Sequence, residues 1–203
     1  MFHPTKVIAI GLNYLDHAKE MNKEIPEYPL IFLKPPTAVI QSGDSIVYPS
    51  MTKELHYEGE LAVIIKNKIR NIAKEDASCY IAGYTCANDV TARDLQRIDG
   101  QWTRSKSFDT FCPLGPKVVS KIDPTHLAIS TRVNGVVKQQ SNTKNMIFDV
   151  YELVSYISGI MTLFPGDVII TGTPPGVGPI NVGDVVEVEI ESIGVLKNTV
   201  ISC

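Results

Sequence analysis

Short blocks of apolar residues, each closed by glycine, proline or a polar cluster, follow one another along this chain. Residues 6–12 (KVIAIGL) are rich in β-branched side chains and predict a buried strand. Asn13 is a candidate cap for the stretch YLDHAKEM, which predicts a helix of about two turns. The blocks LIFLK, TAVIQSG and DSIVYPS predict short strands bounded by Pro35-Pro36, Gly43-Asp44 and Pro49. Residues 58–65 (EGELAVII) have the most strand-like pattern of the first half, and residues 83–89 (GYTCAND) predict a strand that ends in polar residues. Residues 75–81 and 91–96 (TARDLQ) predict helices, the second capped by Thr91.

In the second half, residues 127–133 and 136–140 flank Asn134-Gly135. Both residues of that dipeptide tolerate positive φ, so a tight hairpin is predicted. Apolar residues at Val150, Leu153, Val154, Ile157 and Ile160 recur at helical spacing and predict an amphipathic helix over 148–161. Residues 168–171 and 185–190 predict strands. In the latter, Val186, Val188 and Ile190 alternate with Glu187, Glu189 and Glu191, which places the glutamates on a solvated face. The sum is a β-rich α+β fold with a few short helices, closer to a rolled sheet than to a doubly wound one.

Composition narrows the classes further. At 203 residues the chain fits one domain, or one domain with a modest appendage. A chain of this size buries about 70% of its unfolded surface, enough to fold without disulfides or a structural metal. The net charge of −3 offers no basic surface for nucleic acid and no polybasic membrane anchor. Cys79, Cys86, Cys112 and Cys203 form no Cys-x-x-Cys pair, which speaks against a zinc knuckle and for reduced thiols, at least two of them in packing roles. The apolar run at residues 7–12 is too short for a signal segment or a membrane span, so a cytoplasmic protein is expected.

Candidate chemistry centres on His56-Tyr57-Glu58-Gly59-Glu60. Side chains two apart on a strand share a face, so Glu58 and Glu60 point the same way about 6–7 Å apart, with His56 beside them. Two carboxylates against an apolar run repel and lose hydration, which either raises one pKa or recruits a cation. Hard oxygen donors suit Mg²⁺, and Asp89, at the end of another strand, could deliver a third ligand. The alternative is a solvent face like that of Glu187 and Glu189, and spacing alone leaves both open.

Other residues invite similar weighing. His17 and Glu20 are three apart on the predicted helix, so the carboxylate could orient the imidazole as a general base; a polar surface face is the alternative. Lys106 could stabilise an enolate or simply be solvated. The loop TGTPPGVG after a predicted strand has no Gly-Lys-Ser/Thr and is not a P-loop; its glycines suit a tight turn or amides offered to an anion. Trp102 could cover a substrate or pack.

Taken together, GLNYLDHAKE, LIFLKPPTA, HYEGELAVII, GYTCANDVTARDLQ, SKSFDTFCPLGP, VNGVVKQQ and TGTPPGVG resemble the fumarylacetoacetate hydrolase family, in the family's order and over nearly the whole chain. The resemblance implies one catalytic domain over residues 1–203, without the N-terminal domain of longer members, built as a mixed β-roll and paired as a homodimer. It implies Mg²⁺ held by Glu58, Glu60 and Asp89, with Mn²⁺ or Ca²⁺ as possible substitutes. His17 and Glu20 match the family's catalytic pair, on a segment, residues 13–25, expected to be mobile without ligand. Lys106 matches a catalytic lysine, and Gln96 and Thr173 match positions that hold substrate oxygens. The implied substrate is a small 2-oxo acid reacting through a metal-bound enolate, with hydrolytic C–C cleavage of the fumarylacetoacetate or acylpyruvate type. The alternatives are an oxaloacetate tautomerase or decarboxylase, a 2-hydroxyhepta-2,4-diene-1,7-dioate isomerase, and, from another class, a non-catalytic metabolite-binding protein. Leu12 stands where some acylpyruvate-cleaving members have arginine, and SKSFDTFCPLGP looks more like the isomerases and tautomerases.

Overall fold

The structure, a computed structural model, describes residues 2–203. Three sheets carry the fold. The largest has seven strands in the order Leu30–Lys34 (β2), Val7–Gly11 (β1), Val168–Ile170 (β12), Gly59–Ile65 (β6), Ile81–Asn88 (β7), Cys112–Val119 (β9) and Val39–Gln41 (β3). The second has five: Val136–Asn142 (β11), Ala128–Val133 (β10), Val185–Ile190 (β14), Gly194–Ser202 (β15) and Ser45–Tyr48 (β4). A small third sheet joins Gly178–Ile180 (β13), Leu55–Tyr57 (β5) and Thr91–Ala92 (β8). Parallel pairs (β1 with β12, β15 with β4, β3 with β9) mix with antiparallel ones, and the result is a β-rich, curled half-barrel as expected. Four α-helices accompany it: Leu15–Glu20 (α1), Arg93–Asp99 (α2), Thr103–Lys106 (α3) and Val150–Ile160 (α4). None among the described residues is long and apolar enough to cross a membrane.

Strand β6 is buried at every position, and its two faces serve different ends. Leu61, Val63 and Ile65 join the largest core cluster, where they meet Val188 and Ile190 of β14 and Leu153 and Ile157 of α4. The alternate residues Ala62 and Ile64 face a second cluster with Ala9, Ala87 and Ile170, and Glu60 continues that row.

The hairpin forms as predicted, with Asn134 at φ 53° and Gly135 at φ 77°. Helix α4 buries Val150, Leu153, Val154 and Ile157, and the Asp149 side chain caps it by accepting from Glu152 N at 2.9 Å. Ile160, the last of the expected stripe, is exposed. In β14 Val186, Val188 and Ile190 are buried, while Glu187 pairs with Lys197 and Glu189 with Arg132 at the surface. Cys86 and Cys112 are free and buried, and burial pushes both thiols up to about 12.

Several expectations fail for identifiable reasons. Asn13 does not cap α1; Tyr14 holds that position, and Asn13 instead donates to Phe148 O and Thr171 O and accepts from Phe148 N. Thr91 lies in β8 and donates to Asp89 O, so α2 starts two residues later without a side-chain cap. Residues 75–81 form not an α-helix but 3₁₀ turns over Lys74–Tyr80. Strand β9 escapes the hydrophobic pattern because Pro113, Gly115 and Pro116 interrupt it.

Candidate functional site

Glu58 is not inside a strand, as expected from the sequence, but at the step between β5 and β6. The ladder continues past it: Asp89 N donates to Glu58 O at 2.8 Å, and Glu58 N donates to Asn88 Oδ1 at 2.9 Å. Antiparallel pairing of β6 with β7 thus sets Asp89 beside Glu58, although they lie far apart in sequence. One carboxylate oxygen from each of Glu58, Glu60 and Asp89 lies within 4.8 Å of the others, and all three residues are buried.

Three cations surround these acids. Lys106 Nζ, at the end of α3, donates to Glu58 Oε2 at 2.8 Å and Asp89 Oδ2 at 2.6 Å. Lys34, fully buried at the end of β2, pairs with Asp89 Oδ1 and reaches Val90 O at 3.3 Å. Arg93, at the start of α2, pairs with Glu58 Oε1 and donates to Gln96 Oε1 at 2.5 Å. Glu60 has no such partner among the described residues; Gly172 N donates to its Oε2 at 2.6 Å.

The electrostatic outcome differs from acid to acid. Burial pushes Glu58 up, but Lys106 and Arg93 outweigh it and hold the carboxyl well below the usual range. Burial, with Asp89 and Glu58 adding repulsion, drives Glu60 well above it. Burial alone would lower Lys106, yet Asp89 and Glu58 outweigh it and raise the ammonium, so that it stays charged.

These groups line a cavity of about 90 Å³, together with Gln96, Trp102 and Thr173. Trp102 forms a wall: its ring lies edge-on to Phe32 with centroids 5.1 Å apart, and a Cβ on Gly11 would come within 2.8 Å of it. Leu12, also lining the cavity, has φ 48°, a conformation seldom adopted by such a residue. His56 does not join the acids. It sits in the neighbouring groove, held by Glu54 at 2.9 Å and Arg93 at 3.4 Å.

His17 and Glu20 meet as expected, with Nδ1 and Oε2 2.9 Å apart. They line that same groove of about 530 Å³, which shares Arg93, Gln96 and Trp102 with the cavity. Helix α1 is docked by two polar contacts: Ser141 Oγ donates to Asp16 Oδ2 at 2.8 Å, and Gly176 N donates to Glu20 Oε1 at 3.1 Å. The glycine-loop amides of residues 172 and 176 therefore face the protein's own carboxylates.

The fit to a divalent ion is good on the donor set alone: three buried hard oxygens converge, and Glu60 is short of positive charge. Sequence reasoning missed Lys34 and Arg93. Lys34 looks like a strand residue with an apolar neighbourhood, and Arg93 like a helix-surface residue, so neither carried a pattern that marks a site.

Comparison with known proteins agrees with this geometry. An uncharacterised protein of Methanocaldococcus jannaschii is 64% identical over 97% of this chain and 83% of its own length. The mitochondrial oxaloacetate tautomerase Fahd2a of Rattus norvegicus is 46% identical over 98% of this chain and 67% of its own. The crystal structure of a 5-carboxymethyl-2-hydroxymuconate delta-isomerase from Mycobacterium smegmatis superposes with a TM-score of 0.94 at 49% identity, covering 100% of this chain and 80% of that one. The family description fumarylacetoacetate (FAA) hydrolase C-terminal matches residues 6–201, and the chain belongs to that family of enzymes.

Proposed function

We propose that this chain is a Mg²⁺-dependent enzyme that acts on a small 2-oxo acid with a second carbonyl or carboxyl group, through the acid's enolate. The observation that carries this reading is the convergence of Glu58, Glu60 and Asp89 within 4.8 Å beside a charged lysine. A bound Mg²⁺ would supply Lewis acidity toward the carboxylate and 2-oxo oxygens of the substrate. Glu58, Glu60 and Asp89 would hold the ion; Mn²⁺ or Ca²⁺ could take its place.

The chain's own residues supply the rest. Lys34, Arg93 and Lys106 already face the three acids, so a divalent ion leaves a surplus of positive charge that an enolised 2-oxo acid, a dianion, would balance. Lys106 adds its charge next to the developing enolate. Gln96 and Thr173 line the cavity at positions where substrate oxygens would be held. With Nδ1–H directed at Glu20, His17 keeps Nε2 free to take a proton. His17 lies in the outer groove, displaced from the acids, where the distal carbonyl of a bound acid would extend; this favours water activation there and C–C hydrolysis. A second reading, in which the site only moves protons, is supported by the names of the tautomerase and isomerase relatives. A protein that only binds such metabolites would not need the His17–Glu20 pair.

A panel of acylpyruvates, fumarylpyruvate and oxaloacetate, followed by NMR with and without Mg²⁺, tests these readings. Cleavage products establish the hydrolase, and keto–enol exchange without cleavage establishes the tautomerase. Full activity after EDTA treatment refutes the metal-dependent mechanism. His17→Ala is expected to abolish hydrolysis while shifting Mg²⁺ affinity by less than about twofold; an equal loss of metal binding would contradict the role given to His17.

A further inference from the structure

Hairpin strand β11 sends one buried side chain into the framework of the site. Gln139 is 1% exposed. Its Oε1 accepts the N–H of Gly59, the residue between the two glutamates, at 3.0 Å. Its Nε2 donates to Thr173 Oγ1 at 2.8 Å and to Pro174 O at 2.7 Å. These partners fix the amide's orientation, since a flipped amide would set nitrogen against N–H and oxygen against carbonyl. Thr173 closes the ring by donating Oγ1–H to Gly59 O at 3.0 Å.

Hydrogen counting then constrains Thr173. A hydroxyl has a single hydrogen. Gln139 donates into Oγ1 and that hydrogen goes to Gly59 O, so the side chain has none left for an anionic ligand. The main-chain N–H of Thr173 meets no acceptor among the described residues, and the residue lines the cavity. The ring also tolerates only glycine at its centre, because a Cβ on Gly59 would lie 2.1 Å from Thr131 Oγ1 and 3.3 Å from Gln139 Oε1.

We propose that Gln139 is a positioning residue that sets the gap between the acid-bearing strand and the Thr173 loop, and that Thr173 offers the ligand its main-chain N–H, not its hydroxyl. The identity of the ligand, an oxygen-rich dianion, rests on the function proposed above; the ring itself does not.

The test is calorimetric binding of oxalate in the presence of Mg²⁺ to the wild type, Q139E, T173V and the double variant, with Mg²⁺ binding alone as a second readout. Each single variant is expected to lose about tenfold in oxalate affinity, and the double variant no more than the worse single one, because both act through one ring. T173S, which keeps the hydroxyl, should bind like the wild type, and Mg²⁺ affinity should stay within about threefold throughout. Losses that multiply to about a hundredfold would show the hydroxyl meeting the ligand on its own and overturn the proposal. So would unchanged oxalate affinity in Q139E. Should Q139E not fold, Q139M removes the same contacts without adding charge.

If the wild type ignores oxalate, the keto-acid reading fails, and amide hydrogen exchange decides the proposal. The Gly59 amide should exchange at least about tenfold faster in Q139M, and the Thr173 amide should be unprotected in the wild type. A Gly59 amide that keeps its protection in Q139M, or a protected Thr173 amide, would overturn it.

Discussion

Two buried acids stand at opposite ends of β12, and they have opposite fates. Asp167, just before the strand and 0% exposed, accepts from Thr5 N at 2.9 Å, Thr5 Oγ1 at 2.6 Å, Lys6 N at 3.2 Å, Lys6 Nζ at 2.5 Å and Phe164 N at 2.8 Å. Burial raises it, but Lys6, Thr5 and the Phe164 amide outweigh burial and hold it low. Glu60, 1% exposed, meets the other end of the strand through Gly172 N and pairs with no cation among the described residues. Its carboxyl is pushed well above the usual range. The first acid is satisfied by the protein, tying the N-terminal segment to the core. The second is left short of partners inside a cavity, the state expected of a group that awaits a positive ligand.

Substitution is the sharpest way to break this contrast. Glu60→Gln is expected to lower Mg²⁺-dependent turnover by at least about a thousandfold while leaving the unfolding midpoint unchanged or higher, because it removes a poorly compensated acid. A lower midpoint, read by thermal unfolding, would place Glu60 with the structural acids. Asp167→Asn should do the reverse, costing about 2–3 kcal/mol of stability in a denaturant titration with Mg²⁺ affinity unchanged.

Proton linkage gives the smallest and finest test. Glu60's raised value means the folded state keeps a proton that the unfolded chain has lost. Its stabilising contribution is therefore full below about pH 4.3, the unfolded carboxylate value, and is lost as pH rises through the raised folded value. Asp167, with a lowered value, contributes in the opposite sense: present above the unfolded value, lost in acid. The difference in unfolding midpoint between the wild type and each variant, followed across pH, should show these opposite slopes, and each variant should lack its own. Mg²⁺ affinity should rise with pH, with about one proton released per ion, as read by calorimetry in buffers of different ionisation enthalpy.

Much of this was legible from the residues. Most strands of the two larger sheets, the Asn134-Gly135 hairpin and helix α4 follow from local pattern, whereas β9 and β15 do not. The three acids and the His17–Glu20 pair follow from motif strings. What the pattern hides is long-range. Lys34, Arg93 and Gln139 matter through partners distant in sequence, and no periodicity encodes a contact between a hairpin and a strand from the other half of the chain. The Asn13 cap fails for the same reason: its side chain is drawn away to Phe148 and Thr171, contacts that only the folded chain makes.

Gly11 carries one more consequence. The Trp102 indole, which lines both cavity and groove, lies where a side chain at residue 11 would stand. A methyl group added there could be housed only by displacing the indole. The room left for the acid proposed above is in this sense written into an absent atom.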